Sequence, residues 1–185
     1  MFTIPNLVTF LRIALTPFVV WLLATGHYLA GGWLFGFAAF TDIVDGFLAR
    51  RFSLESKSGL YLDPIADKIL LSSVFIGLAA AGAIDRWVVY TVLGRDLWIL
   101  LLAGIALRFT SFRELQPNIW GKLNTLVQIA AVVTVAAANA YFNSTLTLVG
   151  GGMMYLVAGF ALVSGALYSL RGIVWMFRGS PKPAV

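Results

Sequence analysis

Six apolar stretches, each close to the length a helix needs to cross a hydrocarbon layer, take up most of this chain and leave only short connections between them. A bilayer core of about 30 Å calls for roughly 20 predominantly apolar residues in a helix. The stretches cover residues 7–25, 29–50, 59–82, 87–107, 122–141 and 152–175. A soluble domain of 185 residues could not hide that surface, because 60% of the residues are hydrophobic and only 11% charged, where about half apolar is usual. Runs such as Ile69–Ala83 do not alternate apolar and polar residues, as the strands of a membrane β-barrel must. The expected fold is an all-α integral membrane protein, a bundle of six transmembrane helices. A single domain over residues 1–178 is predicted, with Thr3-Ile4-Pro5-Asn6 forming the cap and first turn of a short N-terminal juxtamembrane segment. Residues 179–185, polar and proline-containing, read as a flexible tail.

The connections set an orientation. Arg50, Arg51, Lys57, Arg108, Arg113, Lys122, Arg171, Arg178 and Lys182 fall on one side and Arg86 alone on the other, nine against one. Lysine and arginine gather on the cytoplasmic side of membrane proteins, so both termini and the second and fourth connections are expected there. The same asymmetry accounts for the net charge of +5 without a nucleic-acid partner. Arg12 inside the first apolar stretch argues against a cleaved leader, and no Arg- and Ser-rich presequence stands ahead of it. A multi-pass protein of the cell (inner) membrane, bacterial in type, is the expected setting. Gly32 and Gly36 form a GxxxG suited to close helix packing.

Several chemistries are closed to this sequence. It has no cysteine, which removes disulfides, thiolate metal sites and cysteine nucleophiles. His27 is the only histidine, which removes a multi-histidine zinc site and a catalytic triad.

What remains is a set of ionisable residues in or at the ends of apolar helices: Asp42, Asp45, Asp63, Asp67, Lys68, Arg95 and Asp96. A charge near the centre of a membrane helix costs about 2.5–3.5 kcal/mol on insertion scales, so four unpaired aspartates would cost on the order of 10 kcal/mol. The spacing suggests the compensation. Asp42 and Asp45 are three apart near the end of the second helix, and Asp63 and Asp67 four apart near the start of the third; each pair shares a helix face. The connection between the two helices is short, so they are expected to form a hairpin with both carboxylate pairs at similar depth. Four carboxylates in one place raise one another's pKa unless cations intervene. Hard divalent ions with oxygen ligands, Mg²⁺ or Mn²⁺, suit such a site and leave positions open for phosphate oxygens. Gly46 and Gly59 let a ligand approach the backbone. Ala49 keeps the face beyond Asp45 shallow, and Arg50 offers a planar fork to a phosphate.

The full run, Asp42-x2-Asp45-Gly46-x2-Ala49-Arg50-x8-Gly59-x3-Asp63-x3-Asp67, resembles the signature of the CDP-alcohol phosphotransferases, with every defining position filled. Pro5-Asn6-x-x-Thr9-x-x-Arg12 is similar to the N-terminal helix of that family's phosphatidyl-transferring members, and the six-helix plan is theirs too. The resemblance implies transfer of a phosphatidyl group from CDP-diacylglycerol to an alcohol, with release of CMP at the cytoplasmic face. It implies two divalent cations held by Asp42, Asp45, Asp63 and Asp67, and a CDP site formed by Asp45, Gly46, Ala49, Arg50 and Gly59. It further implies Asp67 as general base on the acceptor hydroxyl, and a homodimer.

The acceptor is read from the fourth and fifth helices. Arg95 lies inside an apolar stretch and is expected to face the bundle interior. Adjacent residues point apart on a helix, so it is not expected to spend itself on Asp96. Arg95, Lys122 and Asn124 are the candidate acceptor-binding residues. Arg95-Asp96 followed by Lys122-x-Asn124-Thr125-x-x-Gln128 looks more like the CMP-forming cardiolipin synthases than the phosphatidylglycerophosphate synthases, which typically show Arg-Glu, a second arginine two turns on and Gly-Lys-x-Lys-Thr. Here Ala103 stands two turns on. The favoured acceptor is therefore a glycerol-type lipid, phosphatidylglycerol, with glycerol 3-phosphate as the alternative. A divalent-cation transporter would also explain intramembrane aspartates, but not Gly46, Ala49, Arg50 and Gly59 at fixed offsets.

Overall fold

The computed structural model describes the backbone of residues 4–52, 59–109 and 119–178, and the side chains of residues 9–41, 66–102, 104, 121 and 123–170. Six α-helices make up the described residues: α1 (Ile4–Ala24), α2 (Tyr28–Phe52), α3 (Gly59–Ala80), α4 (Arg86–Phe109), α5 (Ile119–Tyr141) and α6 (Ser144–Arg178). The tail expected over residues 179–185 lies outside them. Ile4, Pro5 and Asn6 are continuous with α1.

Three helices end in a left-handed residue at the same end of the bundle. After α1, Gly26 takes φ 82°, and after α3, Gly82 takes φ 74°. The amide of His27 donates to the Leu22 carbonyl at 2.8 Å and that of Gly26 to Leu23 at 3.2 Å. Ala83 and Gly82 repeat the pattern onto Leu78 and Ala79 at 2.9 and 3.1 Å. These are Schellman caps, which absorb helix-end carbonyls that lipid or a dry interior would leave unbonded. The turn after α5 uses Phe142 at φ 49°, a costlier residue for that conformation.

α6 starts eight residues earlier than its apolar stretch suggests. Asn143 accepts the Leu146 amide at 3.0 Å through its side chain, an N-cap that starts the helix at Ser144. The glycines at 150–152 are therefore helical, not a connection. Gly150 explains why they are tolerated: a Cβ there would stand 3.1 Å from Val135 Cγ2, so the missing side chain lets α6 lie close on α5. Gly32 does the same for α2 against α5, where a Cβ would meet that of Ala136 at 3.0 Å. Its GxxxG partner Gly36 faces open space.

α1 packs on both α2 and α3, α5 on α6 and α2, and α4 on α6 and α3. The expected α2–α3 hairpin is thus not a close-packed pair among the described residues; α1 bridges the two helices. The buried apolar core is Val19, Leu23, Phe35, Leu71, Val74, Phe75, Leu78, Val88, Val92, Val132, Val135 and Val157. It fills the half of the bundle nearer the caps. Large apolar side chains also cover the outside, among them Trp33, Phe40, Tyr90, Leu97, Leu148 and Leu162. An outer surface of that kind is unfavourable in water and natural in lipid. Among the described residues, Leu123–Tyr141 and Ser144–Leu170 are helices long and apolar enough to cross a membrane, with mean hydropathies of 1.5 and 1.9.

Candidate active site

The other half of the bundle is polar inside. Thr9, Arg12, Thr16, Asp96, Asn124, Gln128 and Ser164 are all buried there. The helices that carry them are locked in register by specific contacts. α1 and α3 run parallel, with Arg12 Nη1 donating to Asp67 Oδ1 at 2.6 Å and Gly77 set against Val20 further along. α3 and α4 run antiparallel, with Lys68 Nζ donating to Asp96 Oδ1 at 2.6 Å. α4 and α6 run parallel, joined by Arg95 Nη2 donating to Ser164 Oγ at 2.6 Å and Trp98 Nε1 to Ser169 Oγ at 2.8 Å. α5 meets α6 at Gly121–Tyr168 and Gly150–Val135, so Asn124 stands near the height of Ser164. Counting along α2 and α5 from the Gly32–Ala136 contact brings the turn of α2 that holds Asp42 opposite Asn124 and Gln128. Residues from all six helices therefore meet at one level.

At that level Asp67 and Lys68, neighbours on α3, face different helices. Asp67 turns to α1, where the Arg12 side chain is 2% exposed while Asp67 itself is 37% exposed. The guanidinium is sealed in the bundle and the carboxylate is partly open. The Thr16 hydroxyl donates to the Arg12 carbonyl at 2.8 Å one turn further on. Lys68 turns to α4. There Asp96 Oδ1 accepts from Lys68 and also from Arg95 Nη1, each at 2.6 Å. The Arg95–Asp96 pair is contrary to expectation. The two Cα–Cβ bonds do diverge, but the arginine stem is long enough to return its head to the neighbouring carboxylate. The stem runs beside Gly165 of α6, where a Cβ would be in ordinary contact with Arg95 Cγ at 3.6 Å. A buried carboxylate between two cations is the arrangement in which a charge survives desolvation.

Of the candidate metal, CDP-binding, catalytic and acceptor residues, the structure describes Asp67, Arg95 and Asn124 in full. Asp42, Asp45, Gly46, Ala49 and Arg50 stand in the second half of α2, Gly59 and Asp63 in the first turns of α3, and Lys122 in the first turn of α5. Their side chains lie outside the described residues. Ser164 was not anticipated, and a lone serine in an apolar helix gives no signal. Gln128 was visible only as a motif position, and its complete burial was not.

The sequence profile of the CDP-alcohol phosphatidyltransferase family matches residues 2–164. The chain belongs to that family. It is 35% identical over 147 residues to a Drosophila melanogaster protein named probable cardiolipin synthase (CMP-forming), an alignment covering 70% of this chain and 45% of the relative. The chain therefore spans less than half of that relative's length. A Mycobacterium tuberculosis protein named probable phosphatidylglycerophosphate synthase is 33% identical over 180 residues, 91% of this chain and 83% of its own. An Aquifex aeolicus protein named CDP-diacylglycerol–glycerol-3-phosphate 3-phosphatidyltransferase is 30% identical over 180 residues, 95% of this chain and 98% of its own. Membership in the CDP-alcohol phosphatidyltransferase family covers all six helices up to Ser164, so the polar level just described lies inside the family's own boundaries.

Proposed function

We propose that this chain transfers the phosphatidyl group of CDP-diacylglycerol to phosphatidylglycerol, releasing CMP and forming a cardiolipin-type product. The observation that carries this reading is Asp67, bonded by the buried Arg12 and yet 37% exposed. A general base needs that combination of fixed aim and access. Asp67 takes the proton of the acceptor hydroxyl as its oxygen attacks the phosphorus, and the bond to the CMP oxygen breaks.

The donor set fits hard cations. Asp42, Asp45, Asp63 and Asp67 offer only carboxylate oxygens, on consecutive helices and at similar depth. Among the described residues there is no acidic, histidine or cysteine group of three able to hold a metal by itself, so the set rests on the α2 and α3 aspartates together. Four carboxylates gathered in one place raise one another's pKa unless cations balance their charge. Two Mg²⁺ or Mn²⁺ ions bound there supply charge neutralisation of the diphosphate and polarisation of the phosphorus. Gly46, Ala49, Arg50 and Gly59, with Asp45, surround the CDP portion. Arg95, Lys122 and Asn124 form the acceptor side.

Phosphatidylglycerol is favoured over glycerol 3-phosphate because Arg95 already gives both terminal nitrogens to Asp96 and Ser164. A cation so engaged suits a singly charged phosphodiester better than a phosphomonoester. The alternative acceptor, glycerol 3-phosphate, is supported by the near full-length match to the Aquifex relative. A divalent-cation transporter is not favoured by the family match. In this reading the six helices span the inner membrane, the polar level opens to the cytoplasm, and the enzyme works as a homodimer.

The test supplies purified protein with CDP-diacylglycerol, Mg²⁺ and one acceptor at a time, following CMP release and product mass. Cardiolipin formation supports the reading. Consumption of glycerol 3-phosphate alone overturns the acceptor, and failure with both overturns the activity.

A further inference from the structure

Asn124 and Gln128 stand four residues apart on α5, and therefore on one face. Both are fully buried, at 0% exposure. Their four amide atoms have no hydrogen-bond partner among the described residues. Each such group costs about 1–3 kcal/mol when buried without a partner. Neighbouring polar side chains on α5 are satisfied differently. Asn139, on the same helix, returns its amide to the Val135 carbonyl at 2.8 Å, and Thr125 its hydroxyl to the Gly121 carbonyl at 3.2 Å. The unmet amide capacity of α5 thus lies on one face, at the level of Asp67, Arg95 and Ser164.

We propose that Asn124 and Gln128 are a hydroxyl-reading pair that recognises the glycerol headgroup of the acceptor lipid. The inference rests on the transferase reading above and assigns Gln128 a role in it. The chemistry follows from the inventory of the two side chains. Each primary amide carries two N–H donors and a carbonyl acceptor. A vicinal diol, every hydroxyl of which both donates and accepts, can engage both kinds of group. Glycerol 3-phosphate carries the same vicinal diol, but with it a phosphomonoester charge that neutral amides leave unbalanced. Two neutral amides therefore suit an uncharged polyol headgroup, and they stand at the level of the carboxylate proposed to take the proton of the attacking hydroxyl. Residues that recognise a substrate hydroxyl discriminate strongly because, without it, their own buried groups stay unpaired.

The test is steady-state kinetics of the purified enzyme and its Gln128→Leu and Asn124→Leu variants, with phosphatidylglycerol and CDP-diacylglycerol varied separately. Leucine replaces an unpartnered amide with an apolar group of similar size, so both variants should fold with a Tm at or above that of the wild type. The expected result is a KM for phosphatidylglycerol raised about tenfold in each, the worth of one neutral hydrogen bond. The KM for CDP-diacylglycerol should be unchanged, and Gln128→Glu, which restores a polar group, should recover part of the loss. A raised Tm with both KM values unchanged overturns the pair while leaving the transferase reading intact. Wild-type enzyme that uses neither acceptor, or only glycerol 3-phosphate, overturns both.

Discussion

Arg12 and Asp67 lie 55 residues apart in sequence and 2.6 Å apart in space, and they tie α1 to α3 at the level where the polar interior begins. The arginine is sealed and the aspartate is partly open. The pair therefore aims a carboxylate without burying it, and the two partners should respond differently to substitution.

Asp67→Asn keeps an oxygen for Arg12 to bond, removes the proposed base, and should abolish turnover while leaving nucleotide binding largely intact. Asp67→Ala should also lower Tm, because it removes an acceptor from a buried guanidinium; a loss on the order of 1–3 kcal/mol is expected, discounted for the exposure of the acid. Thermal unfolding in detergent and equilibrium binding of CDP separate the two effects. Robust turnover by Asp67→Asn would remove Asp67 from the role of base.

Asp96 holds two cations with one oxygen. Asp96→Leu should be the most damaging single change at this level, about 3–5 kcal/mol, since it leaves Lys68 and Arg95 uncompensated. Ser164→Ala should cost only about 1 kcal/mol, the worth of one hydrogen bond. Denaturant unfolding of the two variants side by side checks the ranking.

Gly77 and Gly94 give opposite expectations from the same substitution. A Cβ on Gly77 would press on the Val20 carbonyl at 3.2 Å, so Gly77→Ala should force α1 from α3, cost about 1–3 kcal/mol and loosen the Arg12–Asp67 bond. Gly94 has nothing within 4 Å, and Gly94→Ala should be neutral or stabilising by up to about 1 kcal/mol. Tm and turnover measured together distinguish a helix-spacing effect from a propensity effect.

Removing divalent cations with a chelator should stop CMP release completely, and Mg²⁺ or Mn²⁺ should restore it. Persistent transfer in excess chelator would mean that the aspartates of α2 and α3 serve another purpose.

The number of helices and the polar level were legible in the sequence because both arise from a strong contrast: long apolar runs, and the few acids that interrupt them. What escaped was what depends on neighbours in space. The start of α6 lies eight residues ahead of the apolar stretch at 152–175, because the Asn143 cap and the close approach of Gly150 to Val135 carry the helix through residues 144–151. The Arg95–Asp96 bond was missed because Cβ directions are a poor guide to where a long, flexible side chain places its head. The bridging position of α1 between α2 and α3 has no local signal at all.

The dry half of the bundle has a consequence for the cell. From Val19 and Val74 outward to Leu23, Leu78 and Val88, the interior carries side chains that neither ions nor protons can hop along. In the proposed function this layer would be an electrical insulator in series with the charged reaction level. Diphosphates and metal ions would then be handled at one face of the membrane without short-circuiting the voltage across it.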